Sequence, residues 1–216
     1  MQLRDFLSYE EIYIQCHDSP DADALASGFG LHTYFQNHGI KTHLIYTGRF
    51  RIRKANLVLM VEKLNIPVEY VEEGTLRLTD ELLLTVDSQY GAGNITKIPA
   101  EHIGIIDHHQ MEARNIPDSL ILSDFGSCST VVWKLLCEEQ FDPNDYPDLA
   151  TALYYGLYSD TQQFTEVHNP ADKDMHDALK YRNSIFYLVK NSNMSSSELE
   201  IAAIALLRAV HNEEKR

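Results

Sequence analysis

Short apolar runs separated by amphipathic stretches fill the first 125 residues. Residues 12–16 (IYIQC), 42–46 (THLIY), 68–71, 81–86 (ELLLTV), 102–106 (HIGII) and, more weakly, 120–122 read as strands. They are rich in Ile, Val and Leu and alternate little, the pattern of strands covered on both faces. Between them, 23–37 reads as a helix stopped by Gly39, and 52–64 as a second with Pro67 beyond it. This alternation predicts an α/β fold: a doubly wound, mostly parallel sheet with flanking helices. After Gly126 the pattern turns helical, over 127–139, 146–159, 171–181 and 195–210. The last stretch opens SSSELE, with Glu198 three residues after Ser195, a capping signal. Asn and Ser accumulate over 182–195. A boundary there divides the chain into a main domain, 1–185, and a helical C-terminal extension, 186–216. That extension reads as an appendage, a dimer element or the stub of a longer chain.

Composition narrows the function. The chain has 216 residues, 44 % apolar and 23 % charged, an ordinary globular mixture. No run approaches the roughly 20 apolar residues of a membrane span. The start, MQLRDFLSYEE, lacks a basic region followed by an apolar core, so no secretory signal is expected and the cytoplasm is the expected compartment. Cys16, Cys128 and Cys137 are an odd set without metal-type spacing and read as reduced thiols. The net charge of −14 argues against long duplex nucleic acid, which calls for a basic stripe. The longest basic cluster is Arg49, Arg51, Arg53 and Lys54. It reads as a solvated loop or helix start, or as a local phosphate-holding patch. A small or short anionic substrate fits this balance better than a duplex.

The acids fall at the ends of the predicted elements. His17, Asp21 and Asp23 follow the first strand in HDSPDADALASG, Asp87 ends ELLLTVD, and Asp107, His108 and His109 end HIGIIDHH. Asp160 ends the helical run YYGLYSD. Strand C-termini of a parallel α/β sheet share one edge, where ligands bind. Two carboxylates ~4 Å apart repel by roughly 4 kcal/mol at an effective dielectric near 20, so four or five together call for protons or cations. Mixed imidazole and carboxylate donors suit Mn²⁺, Co²⁺, Fe²⁺ or Zn²⁺ better than Mg²⁺ or Ca²⁺. There are donors enough for two ions sharing one aspartate, the usual clamp for attack on phosphorus.

These segments resemble the DHH phosphoesterase superfamily, which includes RecJ exonucleases, nano-RNases, family II pyrophosphatases and exopolyphosphatases. HDSPDADALASG is similar to its first motif, H-x-x-P-D-G-D-A, and TVDSQ to its second. IIDHH is the signature, and GLYSDTQQF resembles the fourth, G-x-x-x-D-T-x-x-F. The resemblance covers roughly 12–170. It implies two divalent cations, Mn²⁺ foremost, one held by His17, Asp21 and Asp87 and the other by Asp23, Asp87, His108 and Asp160. It implies hydrolysis of P–O bonds by a two-metal-activated water. His109 would contact phosphoryl oxygens or protonate the leaving group, and Asp107 would orient a histidine. Expected substrates are short oligonucleotides, nucleotides or other small phosphate esters. Pyrophosphate or polyphosphate hydrolysis, and a metal-binding module without turnover, are the alternatives. A second copy as partner, giving a homodimer, stays open.

Two departures from the family pattern stand out. Ala22 replaces the usual glycine of the first motif, so the turn there must avoid strongly positive φ. No glycine follows Gly156, so these 216 residues are not expected to include the glycine-rich segment of the superfamily's second, substrate-binding domain. The N-terminus of the helix after Gly126, with Ser127, Ser129 and Thr130, reads either as an ordinary cap or as a phosphate site. Thr161 and Phe164 read as supports of Asp160, Trp133, Tyr154 and Tyr155 as packing, and His32, His38, His43, His102, His168, His176 and His211 as ordinary surface or core residues.

Overall fold

The computed structural model describes residues 1–110, 116–192 and 196–208. Six strands, β1 (Glu11–Gln15), β2 (Lys41–Tyr46), β3 (Val68–Tyr70), β4 (Leu78–Val86), β5 (Ala100–Asp107) and β6 (Asp118–Ile121), form one sheet. All five pairings are parallel, in the order β3-β2-β1-β4-β5-β6. The seven helices are α1 (Ala22–Asn37), α2 (Ala55–Lys63), α3 (Cys128–Glu138), α4 (Pro147–Asp160), α5 (Pro170–Ala178), α6 (Asn183–Lys190) and α7 (Ser196–Arg208). The predicted doubly wound α/β fold is therefore the observed one, with boundaries shifted by a few residues.

Chain order reverses between β1 and β4, so this pair forms the switch point where such sheets open a crevice at their C-terminal edge. Register levels that edge. Gln15 pairs with Thr85 and Thr85 with Ile105, so His17, Asp87 and Asp107, two residues later, reach the edge at the same height.

The two faces are covered differently. Ile12, Ile14, Leu44, Leu82 and Leu84 point into the main core, against α1, α3 and α4. Their neighbours Ile45 and Leu83 point the other way, into a small cluster with Leu78 and Ile98. Among the described residues no helical side chain joins that second cluster. The β4–β5 crossover is a loop whose Tyr90 and Ile98 do the covering.

Helix α6 was not anticipated. Its sequence, NSIFYLVK, lies inside the stretch read as a boundary, yet Phe186 and Val189 are buried in the main core. Tyr181 just before it stacks on Tyr154 at 3.8 Å, and Phe186 packs edge-on against Tyr154, Tyr155 and Tyr158. Helix α5 ends at Ala178 rather than 181 because Leu179 turns extended. In α7, Leu199, Ile201, Leu206 and Leu207 are exposed. Ser195 and His211 lie outside the described residues.

Candidate metal centre

Each candidate ligand reaches the C-terminal edge through a local device. Asp21 caps α1, its Oδ1 accepting from the amides of Asp23 and Ala24 at 2.9 and 3.0 Å. Ala22 thereby starts the helix with an ordinary helical φ, so its methyl group costs nothing there. Asp23 is fully buried under α3. Its carboxylate accepts from the amides of Cys128 (2.6 Å) and Ser129 (2.8 Å) and from the Ser129 hydroxyl. The N-terminus of α3 is thus occupied by Asp23, and the phosphate reading of that terminus falls. Ser127 caps it through the amide of Thr130. Asp87 adopts φ of +55°, a left-handed conformation that aspartate tolerates better than most residues and that turns its side chain out of the strand direction. Asp160 is the last residue of α4.

The described ligands converge. Donor atoms of His17, Asp21 and Asp87 lie within 4.8 Å of one another, and so do those of Asp23, His108 and Asp160. His108 links the two sets. Its Nε2 stands 3.2 Å from Asp160, 3.4 Å from Asp87 and 3.8 Å from Asp23. His17 Nε2 stands 3.8 Å from the other oxygen of Asp87. The Nδ1 of His108 faces the carbonyl of Phe125 at 3.1 Å, which directs Nε2 into the cluster.

His109 and Asp107 form a neighbouring pair. His109 Nδ1 meets Asp107 Oδ1 at 2.8 Å, and Asp107 Oδ2 accepts from Gln89 Nε2 at 2.7 Å. Gln89 also donates to the carbonyl of Gln110. His109, Gln89, Asn94 and Gln110 line a cavity of about 220 Å³ beside the cluster. Gln89 and the α3 amides are the site residues that sequence reading missed. Gln89 closes the stretch TVDSQ, two positions after Asp87, and no spacing rule gives it a role there.

The electrostatics are those of a cluster short of cations. Burial, and then Asp23, push the Asp87 carboxyl well above the ordinary carboxylate range. Burial and Asp160 push Asp23 up to about 7. Burial opposes charge on His108, but the carboxylates of Asp160 and Asp87 outweigh it and push it up to about 12. Burial lowers His17. The hydrogen bond from Asp107 raises His109. Burial works against the Asp107 carboxylate, but His109 and Gln89 more than offset it, and its value is lowered.

Two buried atoms at the centre, Asp87 Oδ1 and His108 Nε2, stand close to opposite charges but make no well-aligned hydrogen bond. Unpaired polar atoms at such depth are rare in native proteins and call for a bound ion or water. The donor set around them, two imidazoles and four carboxylates, fits a divalent transition metal. Three of the other described histidines have ordinary partners: His43 pairs with Glu11, His176 with Asp177 and Tyr154, and His38 with the Tyr34 carbonyl. Phe164 packs on Tyr154 and Tyr158, bracing the turn that follows Asp160.

Residues 11–157 match the DHH family, N-terminal domain. An uncharacterised protein of Methanocaldococcus jannaschii is 26 % identical over 199 residues, 91 % of this chain and 40 % of that one. A Streptococcus thermophilus protein named "probable manganese-dependent inorganic pyrophosphatase" is 27 % identical over 155 residues, 70 % of this chain and 48 % of that one. An exopolyphosphatase-related protein from Bacteroides fragilis shares the fold, with a TM-score of 0.68 at 18 % identity over 96 % of this chain and 64 % of that one. The chain spans less than half the length of these two curated relatives. With the match covering most of its length, the chain belongs to the DHH family, and residues 11–157 are its N-terminal domain.

Proposed function

We propose that this chain is a divalent-metal-dependent phosphoesterase that hydrolyses P–O bonds in short oligonucleotides or nucleotides, with Mn²⁺ as the preferred metal. The observation that carries the reading is the pair of buried atoms Asp87 Oδ1 and His108 Nε2, 3.4 Å apart and without a well-aligned hydrogen bond, between two converging donor sets. His17, Asp21 and Asp87 would hold one cation, and Asp23, Asp87, His108 and Asp160 a second, with Asp87 common to both. Bound cations supply phosphoryl polarisation and a water acidic enough to ionise near neutral pH. The protein's own groups do the rest. The α3 amides fix Asp23, and the Phe125 carbonyl fixes the ring of His108. Asp107 holds His109 at Nδ1 and favours its protonated form, so His109 can bind phosphoryl oxygen or donate a proton to the leaving oxygen.

Pyrophosphate or polyphosphate hydrolysis is the second reading, favoured by the name of the Streptococcus relative. Release of mononucleotide from a 5′-phosphorylated oligoribonucleotide in Mn²⁺, with pyrophosphate in parallel, tests both. Asp87→Ala is expected to lower turnover at least a thousandfold, because it removes a ligand from both sets. Turnover within tenfold of wild type in that variant contradicts the two-metal reading.

A further inference from the structure

Beside the metal loop lies a loop the proposed chemistry does not use. Residues 47–54 follow β2, the neighbour of β1 in the sheet, and so emerge on the same edge as His17 and Asp21. Four of the chain's 18 basic residues, Arg49, Arg51, Arg53 and Lys54, sit in this loop. In a chain of net charge −14 with 32 acidic residues, none of the four forms an ion pair with a described carboxylate, whereas Arg4, Lys41 and Arg182 do. Their charge therefore stays available to a ligand.

The cations are organised around aromatic rings. Arg49 and Arg53 both lie near the ring of Phe50, their guanidinium carbons 5.1 and 4.9 Å from its centroid, and Phe50 remains 52 % exposed. Arg51 lies 4.7 Å from the centroid of Tyr70, whose hydroxyl donates to the Gly48 carbonyl. A large exposed phenyl set among guanidinium groups is the pairing that stacks a base while holding its phosphate.

The loop is also fixed to the metal loop. Thr47 donates to Asp18 Oδ1 at 2.6 Å, and Thr96 anchors the same carboxylate from the other side. Gly48, at φ +98°, lies so close that a Cβ would meet the Asp18 carbonyl oxygen at 2.5 Å. Asp18 directly follows His17. The amide of Ile52 donates to Tyr46, closing the loop on its strand. Ser19 and Pro20 of the metal loop line a cavity of about 200 Å³ together with Phe50, Arg53 and Lys54.

We propose that the loop 47–54 is a nucleotide subsite, where Phe50 stacks a base and Arg49 and Arg53 hold a phosphate of a short single strand whose other end lies at the metal loop. The phosphoesterase reading is used here only to say which end of the strand reacts. Phe50 is what separates this subsite from a simple collector of phosphate.

The test is binding. A 5′-phosphorylated, phosphorothioate-linked trinucleotide with a 3′ fluorophore is followed by anisotropy in Mn²⁺, and linear tripolyphosphate is titrated as competitor. Phe50→Ala is expected to weaken the trinucleotide about fivefold or more, the range of one lost stacking contact. Tripolyphosphate should compete as before, and Phe50→Trp should restore binding. The double variant Arg49→Ala/Arg53→Ala should weaken both ligands and flatten the salt dependence. All three side chains are exposed, so melting temperatures should not move. Trinucleotide binding within twofold of wild type in Phe50→Ala, an equal loss for tripolyphosphate, or no binding by wild type overturns the proposal. Binding that behaves as expected in a chain that hydrolyses nothing contradicts the phosphoesterase reading alone. Hydrolysis indifferent to all three substitutions contradicts the subsite alone.

Discussion

At the scale of single residues, the cluster depends on hydrogen bonds that aim its charges. Gln89 is the clearest case, because it satisfies one oxygen of Asp107 while the other holds His109. Gln89→Ala strands a buried carboxylate oxygen, a loss of about 1–3 kcal/mol. We expect turnover of the proposed reaction to fall about tenfold with Mn²⁺ affinity unchanged, read as kcat beside a metal titration. Unchanged kcat, or a lost metal, would remove Gln89 from this role. Much at this scale was legible in the sequence. Acids gathered at the ends of apolar elements have no packing reason to be there, and Asp21, Asp23, Asp87, Asp107 and Asp160, with His17, marked the edge. The partners of those acids were not legible. Gln89 and the amides of Cys128 and Ser129 act through contacts across 18 and about a hundred residues, which no local spacing encodes.

At the scale of elements, the site is where three helices approach closely. Gly156 of α4 faces Ser129 of α3 and Asp23 of α1. A methyl group there would collide with the Ser129 hydroxyl and press within 3.1 Å of both Asp23 Oδ1 and Ala26 Cβ. Gly156→Ala should therefore cost about 1–3 kcal/mol as overpacking and push Asp23 off the α3 amides. Lower melting temperature together with weaker Mn²⁺ binding is the expected pair of results, and wild-type values for both would contradict the packing account. The strands and α1 to α4 were legible because their apolar runs are dense and bounded by turn and cap residues. Helix α6 was not. Only Phe186 and Val189 of its eight residues are buried, and its flanking polar residues imitate a linker. That loop side chains, rather than helical ones, cover Ile45 and Leu83 among the described residues was equally hidden, since an apolar strand does not say whether a helix or a loop covers it.

At the scale of the whole molecule, the acid cluster ties stability, protons and metal together. The folded value of Asp23, about 7, lies above its ordinary 3.8. For a raised acid, the stabilising contribution is complete below about pH 4 and is lost as pH rises through 7. Near neutral pH the metal-free chain therefore carries the cost of ionising buried carboxylates, and a cation that replaces those protons offsets it. At pH 5.5 protons compete for the same oxygens. Equilibrium titration of Mn²⁺ into the metal-free chain tests this most directly. The account predicts two ions bound per chain at pH 7.5, clearly weaker binding at pH 5.5, and loss of the second ion in Asp87→Ala. Absence of saturable binding at pH 7.5, or two ions still bound by Asp87→Ala with wild-type affinity, would contradict it.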